Sequence, residues 1–297
     1  MADGRVSFGW AAAAGLSVAA LAALAPGGLY LLGFLALVIA LHEGAHFLVA
    51  RRSGMGPVEL FWGFGPEVFS IERNGCRYGV KALFLGGYVK LLGMTPGAEL
   101  PDGFPEARTY RAARCRGRLA TILAGPAANL ATAVVAFTIA ALLDGLPLGE
   151  ALVRGGTDLW FVLHGTVVAM WTWVTNLGAY AGSVLDRSGA TEPPVRFLSP
   201  VAQAQISQYA VSAGAATALR WLGVLSAAVG AVNLLPLPPL DGSHAVVATV
   251  EGVLRRLRPA RPRQLDVTRL VPLAYATVGV LVFLSLSALV LDLRDLG

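Results

Sequence analysis

The sequence predicts an all-α polytopic membrane protein of about five transmembrane helices, with one small β-hairpin region set among them. Three observations carry this expectation. The chain of 297 residues is 56% hydrophobic and only 14% charged, with a mean hydropathy of +0.65, whereas a soluble domain averages about 45–50% apolar and about 25% charged. Apolar stretches at 6–25, 29–50, 119–143, 213–235 and 270–291 each approach the ~20 residues that cross a bilayer core as a helix. Basic residues alternate between these stretches. Residues 51–118 carry 11 Lys/Arg against 6 Asp/Glu and 251–269 carry 6 Arg, while 144–212 carry 3 Arg against 5 acids, the distribution that the positive-inside rule produces.

The net charge of +5 and pI near 9.6 are explained by that alternation. No basic–aromatic module accompanies the charge, so a nucleic-acid partner is not expected. Cys76 and Cys115 both fall in the first basic loop; on a cytosolic loop they stay reduced, and their spacing is not that of a metal site.

Taken in order, Val6–Ala25 reads either as a signal peptide, with Arg5 before it and Ala23-Leu24-Ala25 as cleavage site, or as a retained helix. Its length and the Pro26 that follows favour the retained helix, turned by Pro26-Gly27-Gly28 into the next, so that 1–28 form an addition to a core of 29–297. Leu29–Ala50 contains His42-Glu43-Gly44-Ala45-His46 and stops at Arg51-Arg52. Residues 57–72 and 78–92 mix aromatic and β-branched residues with glycines, so 57–92 reads as short strands broken by turns, and 93–118 as an irregular loop. Residues 159–185 are apolar and hold Trp160, Trp171, Trp173 and Tyr180. A single crossing here would reverse the following helix, so the segment is expected along the outer surface, or dipping in and returning. His164 within it reads as an interfacial residue.

The strongest chemical signal is His42-Glu43-x-x-His46. On a helix, residues i and i+4 share a face, so both imidazoles reach one ion, and Glu43 sits where it can take a proton from metal-bound water. Ionisable residues inside a spanning helix are costly and functional by default. Two imidazoles and one oxygen ligand suit zinc, with a fourth position left for water. The best carboxylate available is Asp241, in Asn233-Leu-Leu-Pro-Leu-Pro-Pro-Leu-Asp241-Gly-Ser-His244. Its prolines force extended backbone, tolerated at membrane depth only where it is buried in protein or lines a watery cavity. Gly125-Pro126-Ala127-Ala128-Asn129 is weaker alone, a helix-opening signal with an asparagine able to bond across helices.

Together these pieces resemble the site-2 protease family of intramembrane metalloproteases, in particular the bacterial regulator of sigma-E protease and its actinobacterial relatives. Residues 41–54, 63–66, 85–96, 125–129 and 233–244 carry the likeness in the family's order, which spans nearly the whole chain from Leu29. The resemblance implies that His42, His46 and Asp241 bind Zn2+, that Glu43 activates water, and that Asn129 and Asn233 help hold the substrate. It also implies that 57–92 form a membrane-associated β-hairpin region whose edge near Leu85–Lys90, with Gly86, Gly87 and Tyr88, pairs with an unwound substrate by β-augmentation. The expected substrates are single-span membrane proteins, such as anti-sigma factors or remnant signal peptides, in a bacterial cytoplasmic membrane.

The likeness has two departures. Close relatives usually insert one or two PDZ domains, and 144–212 is too short for one, so a PDZ filter for substrates is either absent or replaced by a separate adaptor. The N-terminal helix is also additional. Two other readings compete. A pseudoprotease would only bind client helices, yet every required residue is present. A metal transporter would not need Glu43, and no repeated pair of metal-binding helices appears.

Depth tests the assignment. His42 lies nine residues before Arg51, about 13 Å inside the cytosolic boundary by helix rise. Asp241 precedes the Arg-rich loop and is expected on the same side.

Overall fold

The computed structural model describes residues 5–6, 27–95, 97, 99–186, 191–257 and 265–295. In chain order these form β1 (Arg5–Val6), α1 (Gly28–Arg52), β2 (Pro57–Arg73), β3 (Cys76–Leu91), α2 (Cys115–Leu143), α3 (Leu148–Thr175), α4 (Leu177–Leu185), α5 (Pro200–Ser212), α6 (Ala215–Asn233), α7 (Asp241–Leu257) and α8 (Val271–Asp295). Four described helices are long and apolar enough to cross a membrane: Gly28–Arg52, Cys115–Leu143, Ala215–Asn233 and Val267–Arg294. The predicted stretch at 6–25 lies outside the described residues apart from Val6, which is a strand residue. Arg5 and Val6 instead pair with Ser70 and Phe69 and extend the sheet.

The chain divides into two compact units. One gathers Ala36–Asn129 and Val232–Ala274 with β1; the other gathers Leu130–Ala231 with the start of α1 and the chain from Tyr275 onward.

In the first unit, α1 ends where its sequence turns polar. Gly54 adopts the left-handed conformation (φ 82°) and Met55 N–H bonds back to Ala50 O at 3.0 Å, a glycine-terminated helix end. The hairpin turns at Asn74-Gly75, with φ of 53° and 70°, the pair of positive angles that suits a two-residue turn between antiparallel strands. Phe47 of α1 packs with Leu60 and Cys76 of the hairpin, with Tyr78 and Val89 against them. A second core joins Ala50, Met55, Tyr110, Ile122 and Ala248.

Register makes one side of β3 an edge. Leu60 pairs with both Tyr78 and Val89, and Phe61 with both Gly79 and Tyr88. The 59–62 segment therefore has a neighbour on each side, whereas Gly87–Lys90 pair only with 59–62 among the described strands.

The second unit holds two cores. Leu31, Ala204, Ala210, Trp221 and Leu225 form one; Ala133, Phe137 and Ala227 form the other, with Leu159 and Val162 against them. The apolar segment expected at 159–185 begins earlier and is broken. α3 starts at Leu148, and at Asn176 the helix pauses, its N–H shared by Thr172 O and Trp173 O, before α4. Trp160 and Trp171 are 67% and 69% exposed, as an interfacial residue would be, and His164 packs beside Trp160. Tyr180 is not interfacial. It is buried, shares a hydrogen bond with Ser287 Oγ at 2.8 Å and meets Trp173 and Phe197 edge-on.

Candidate metal centre

All the residues expected to carry chemistry fall in the first unit. His42, Glu43 and His46 are buried, the two histidines one turn apart on α1. Asp241 is the first residue of α7, placed there by the proline-rich segment that interrupts the chain after α6.

The three ligand candidates converge. His42 Nε2 and His46 Nε2 are 3.1 Å apart, and Asp241 Oδ2 lies 3.0 Å from the first and 3.3 Å from the second. Ligands about 2.0–2.1 Å from a tetrahedral zinc stand about 3.3–3.4 Å from one another, so this triangle is only slightly tighter than zinc requires. Two imidazole lone pairs and a carboxylate turned toward one point repel unless a cation lies between them. Donor set and spacing therefore both fit Zn2+, with His42, His46 and Asp241 as ligands and a fourth position for water.

The remaining ring nitrogens are fixed from α2. His46 Nδ1 donates to Thr121 O at 2.7 Å. The side-chain amide of Asn129, fully buried, lies 3.0 Å from His42 Nδ1. With Nε2 given to a metal, Nδ1 carries the proton and the amide oxygen, a half-turn away from the amide nitrogen, accepts it. Asn129 thus acts first on a ligand, fixing its tautomer and ring plane.

α2 comes this close because of Gly125. A Cβ there would lie 2.3 Å from His46 Nε2 and 2.6 Å from His42 Nε2. The Gly-Pro pair does not open the helix, as its sequence suggests, but stands inside it, with Pro126 interior to Cys115–Leu143. Proline cannot complete the bond to the carbonyl four residues earlier and loosens that turn, the same turn from which Thr121 O reaches His46.

A cavity of about 230 Å³ opens on the site. Glu43, His46, Asp241 and His244 form its polar wall, and Leu91, Met94, Tyr110 and Ile122 its apolar one. Gly87 and Tyr88 of the hairpin edge also line it. A Cβ at Gly87 would lie 2.8 Å from Glu43 Cγ, so the edge strand passes directly over the glutamate. Tyr88 is held sideways, its hydroxyl donating to Glu59 Oε2 at 2.6 Å beside the Lys90 ammonium, which donates to Glu59 Oε1 at 2.9 Å. Burial raises the Glu59 carboxyl, but these two hydrogen bonds and the nearby positive charges outweigh it and hold the group below its ordinary range. Gly86 adjoins this wall, whereas Asn233 closes α6 and is not among the cavity residues.

Sequence reasoning passed over Thr121 O, Gly125 as a spacer, and His244. A backbone carbonyl leaves no sequence signal. His244 does leave one, since it follows Asp241 by three residues on a helix and so shares its face.

A buried pair of histidines one helical turn apart, a distant aspartate, a glutamate beside them and four membrane-length helices define an HExxH metallopeptidase of the membrane type. The chain belongs to peptidase family M50, the site-2 protease family, which its residues 30–276 match. It is 44% identical over 109 residues to the zinc metalloprotease Rip1 of Mycobacterium tuberculosis, a stretch covering 37% of this chain and 27% of that protein's length. It is 24% identical over 318 residues to a putative zinc metalloprotease of Brucella suis, covering 74% of this chain and 84% of the relative. A similar protein of Rhizobium meliloti is 26% identical over 331 residues, covering 78% and 88%.

Proposed function

We propose that this protein is an active intramembrane zinc metalloprotease that hydrolyses peptide bonds in or beside the transmembrane segments of single-span membrane proteins. The observation that carries the reading is the adjacency of three things: the His42–His46–Asp241 triangle, the Glu43 carboxylate, and an open strand edge at Gly86–Lys90 crossing that carboxylate.

A transmembrane helix hides its peptide bonds, so a substrate has to be unwound before it can be cut. The edge of β3 supplies backbone donors and acceptors to an extended segment, which is β-strand addition. Gly87, having no side chain, lets that segment lie close to Glu43. Bound zinc supplies Lewis acidity toward the scissile carbonyl and toward its water. Glu43 takes the proton of that water and returns it to the leaving amine nitrogen. Asn129 and Thr121 O keep both imidazoles turned to the metal position, and the apolar wall of Leu91, Met94 and Ile122 excludes bulk water. Asn233, at the end of α6, is assigned a part in holding the substrate. The active site lies toward the cytosolic side of a bacterial cytoplasmic membrane, with lipid against the exposed apolar helices. Substrate filtering falls to a separate adaptor where relatives use a PDZ domain, and anti-sigma factors or remnant signal peptides are the substrate classes expected.

The test is reconstitution. The full chain in detergent, offered a tagged single-span substrate, is expected to cut it, to stop when a chelator strips the metal, and to resume on adding back stoichiometric zinc. In liposomes the same preparation is expected to pass no zinc. Zinc flux without cleavage would overturn the proposal.

A further inference from the structure

Three of the four histidines belong to the site, and two of them have both ring nitrogens engaged. His42 spends Nδ1 on Asn129 and turns Nε2 to Asp241; His46 spends Nδ1 on Thr121 O and turns Nε2 to the same carboxylate. His244 differs. It lies one turn into α7, three residues after Asp241 and on the same face, and it lines the cavity that Glu43, His46 and Asp241 line. Neither of its ring nitrogens has a hydrogen-bond partner among the described residues. The ring is half-buried at the cavity wall rather than shut in the packed interior, so a group that enters the cavity can meet it.

The position narrows what that group is. As residue i+3 of a rigid helix, His244 is fixed relative to Asp241, and so relative to the metal position. It is not one of the converging ligands, which are His42, His46 and Asp241 alone among the described residues. Of the cavity's other phenols and imidazoles, Tyr88 donates to Glu59 and His46 to Thr121 O, which leaves Tyr110, on the loop before α2, with the Arg118 guanidinium covering its ring at 4.9 Å. The group in the cavity on which negative charge gathers during peptide hydrolysis is the carbonyl oxygen of the scissile bond.

We propose that His244 is a catalytic residue whose ring N–H donates a hydrogen bond to the scissile carbonyl oxygen as negative charge gathers there. This rests on the proteolytic reading above. The water oxygen bonds to the carbonyl carbon, its proton passes to Glu43, and the carbonyl π electrons move onto the oxygen facing His244. When the electrons return, the carbon–nitrogen bond breaks and the amine nitrogen takes the proton from Glu43. His244 gives up no proton in either step; it stabilises the oxygen between them.

Removing one such donor costs about 10²–10³-fold in kcat. The measurement is kcat, KM and zinc content of the full chain in detergent on a tagged single-span substrate, for wild type, Glu43→Gln, Tyr110→Phe, and His244→Ala, →Leu and →Gln. His244→Ala and His244→Leu are expected to lose about that much kcat, with KM and zinc unchanged. His244→Gln, which keeps an N–H, is expected to recover at least about tenfold over alanine, and Tyr110→Phe to stay near wild type. Either of the two donor-less variants that folds is sufficient for the comparison. Wild-type kcat in a donor-less variant, zinc lost with activity, glutamine no better than alanine, or a Tyr110→Phe loss larger than that of the His244 variants would each overturn the assignment. An inactive wild type, or a Glu43→Gln that still cuts, would instead remove the proteolytic reading beneath it.

Discussion

A methyl group at position 125 would stand 2.3 Å from one metal-facing imidazole nitrogen and 2.6 Å from the other, inside the space the metal has to occupy. Gly125→Ala is therefore expected to fold, since alanine favours a helix more than glycine does, and yet to lose zinc and activity together. Metal content of the purified variant checks this, and full zinc occupancy would contradict the geometry. At this scale the sequence was legible where chemistry conflicts with surroundings. His42, Glu43 and His46 stand out because three ionisable groups lie inside an apolar helix. Asp241 became visible only once a partnerless HExxH demanded an oxygen ligand. Gly125 and Thr121 O stayed hidden because their roles exist only when α2 lies against α1, and nothing within either helix records that approach.

Between elements, the first unit is tied by the buried ion pair of Arg118 and Glu251, side chains 1% and 4% exposed and 2.5 Å apart. Arg118 stands seven residues before Gly125 on α2, and Glu251 ten residues after Asp241 on α7, so the pair joins the helix that orients the histidines to the helix that carries the carboxylate. The guanidinium also caps Arg111 O and Ala113 O, and Glu251 accepts from Leu265 N–H. Breaking a buried pair from one side strands the other charge, at a cost of about 3–5 kcal/mol. Arg118→Met is expected to lower thermal stability in detergent accordingly, and Arg118→Met with Glu251→Leu to regain most of it. Equal losses in the single and double variants would mean the pair is not what the two helices share. Apolar length located the four membrane-length helices to within a few residues, and aromatic runs broken by glycine pointed to strands between α1 and α2. The helix around Pro126 misled, because a proline near an apolar run reads as a beginning, while here the surrounding packing holds the helix through it. Arg118 and Glu251 lie 133 residues apart, too far for any local pattern to pair them.

For the whole molecule, parity was the informative argument. An even set of reversals had to bring His42 and Asp241 to one depth, and they lie 3.0 Å apart in the same unit. From the same parity the loop before α2 is expected on the cytosolic face and the segment before α5 on the other. In a background with Cys76→Ala and Cys115→Ala, a cysteine replacing exposed Gly97 is expected to react with an impermeant thiol reagent only from the cytosolic side. One replacing exposed Thr191 is expected to react only from the other, and labelling of both from one side would refute the topology. What the sequence misjudged at this scale was the start of α3 and the burial of Tyr180. Both follow from packing within the second unit, where Ser287 and Phe197 come from distant parts of the chain.

The central claim is that a metal held by His42, His46 and Asp241 and a proton handled by Glu43 hydrolyse a peptide bond. Glu43→Gln keeps the shape of the side chain and removes its basicity. Cleavage of a tagged single-span substrate and bound zinc, measured on the same preparations of wild type and Glu43→Gln, test the claim most directly. The account predicts that both proteins hold zinc and only wild type cuts; cleavage by Glu43→Gln at the wild-type rate, or zinc held by both with no cleavage by either across a panel of such substrates, would contradict it.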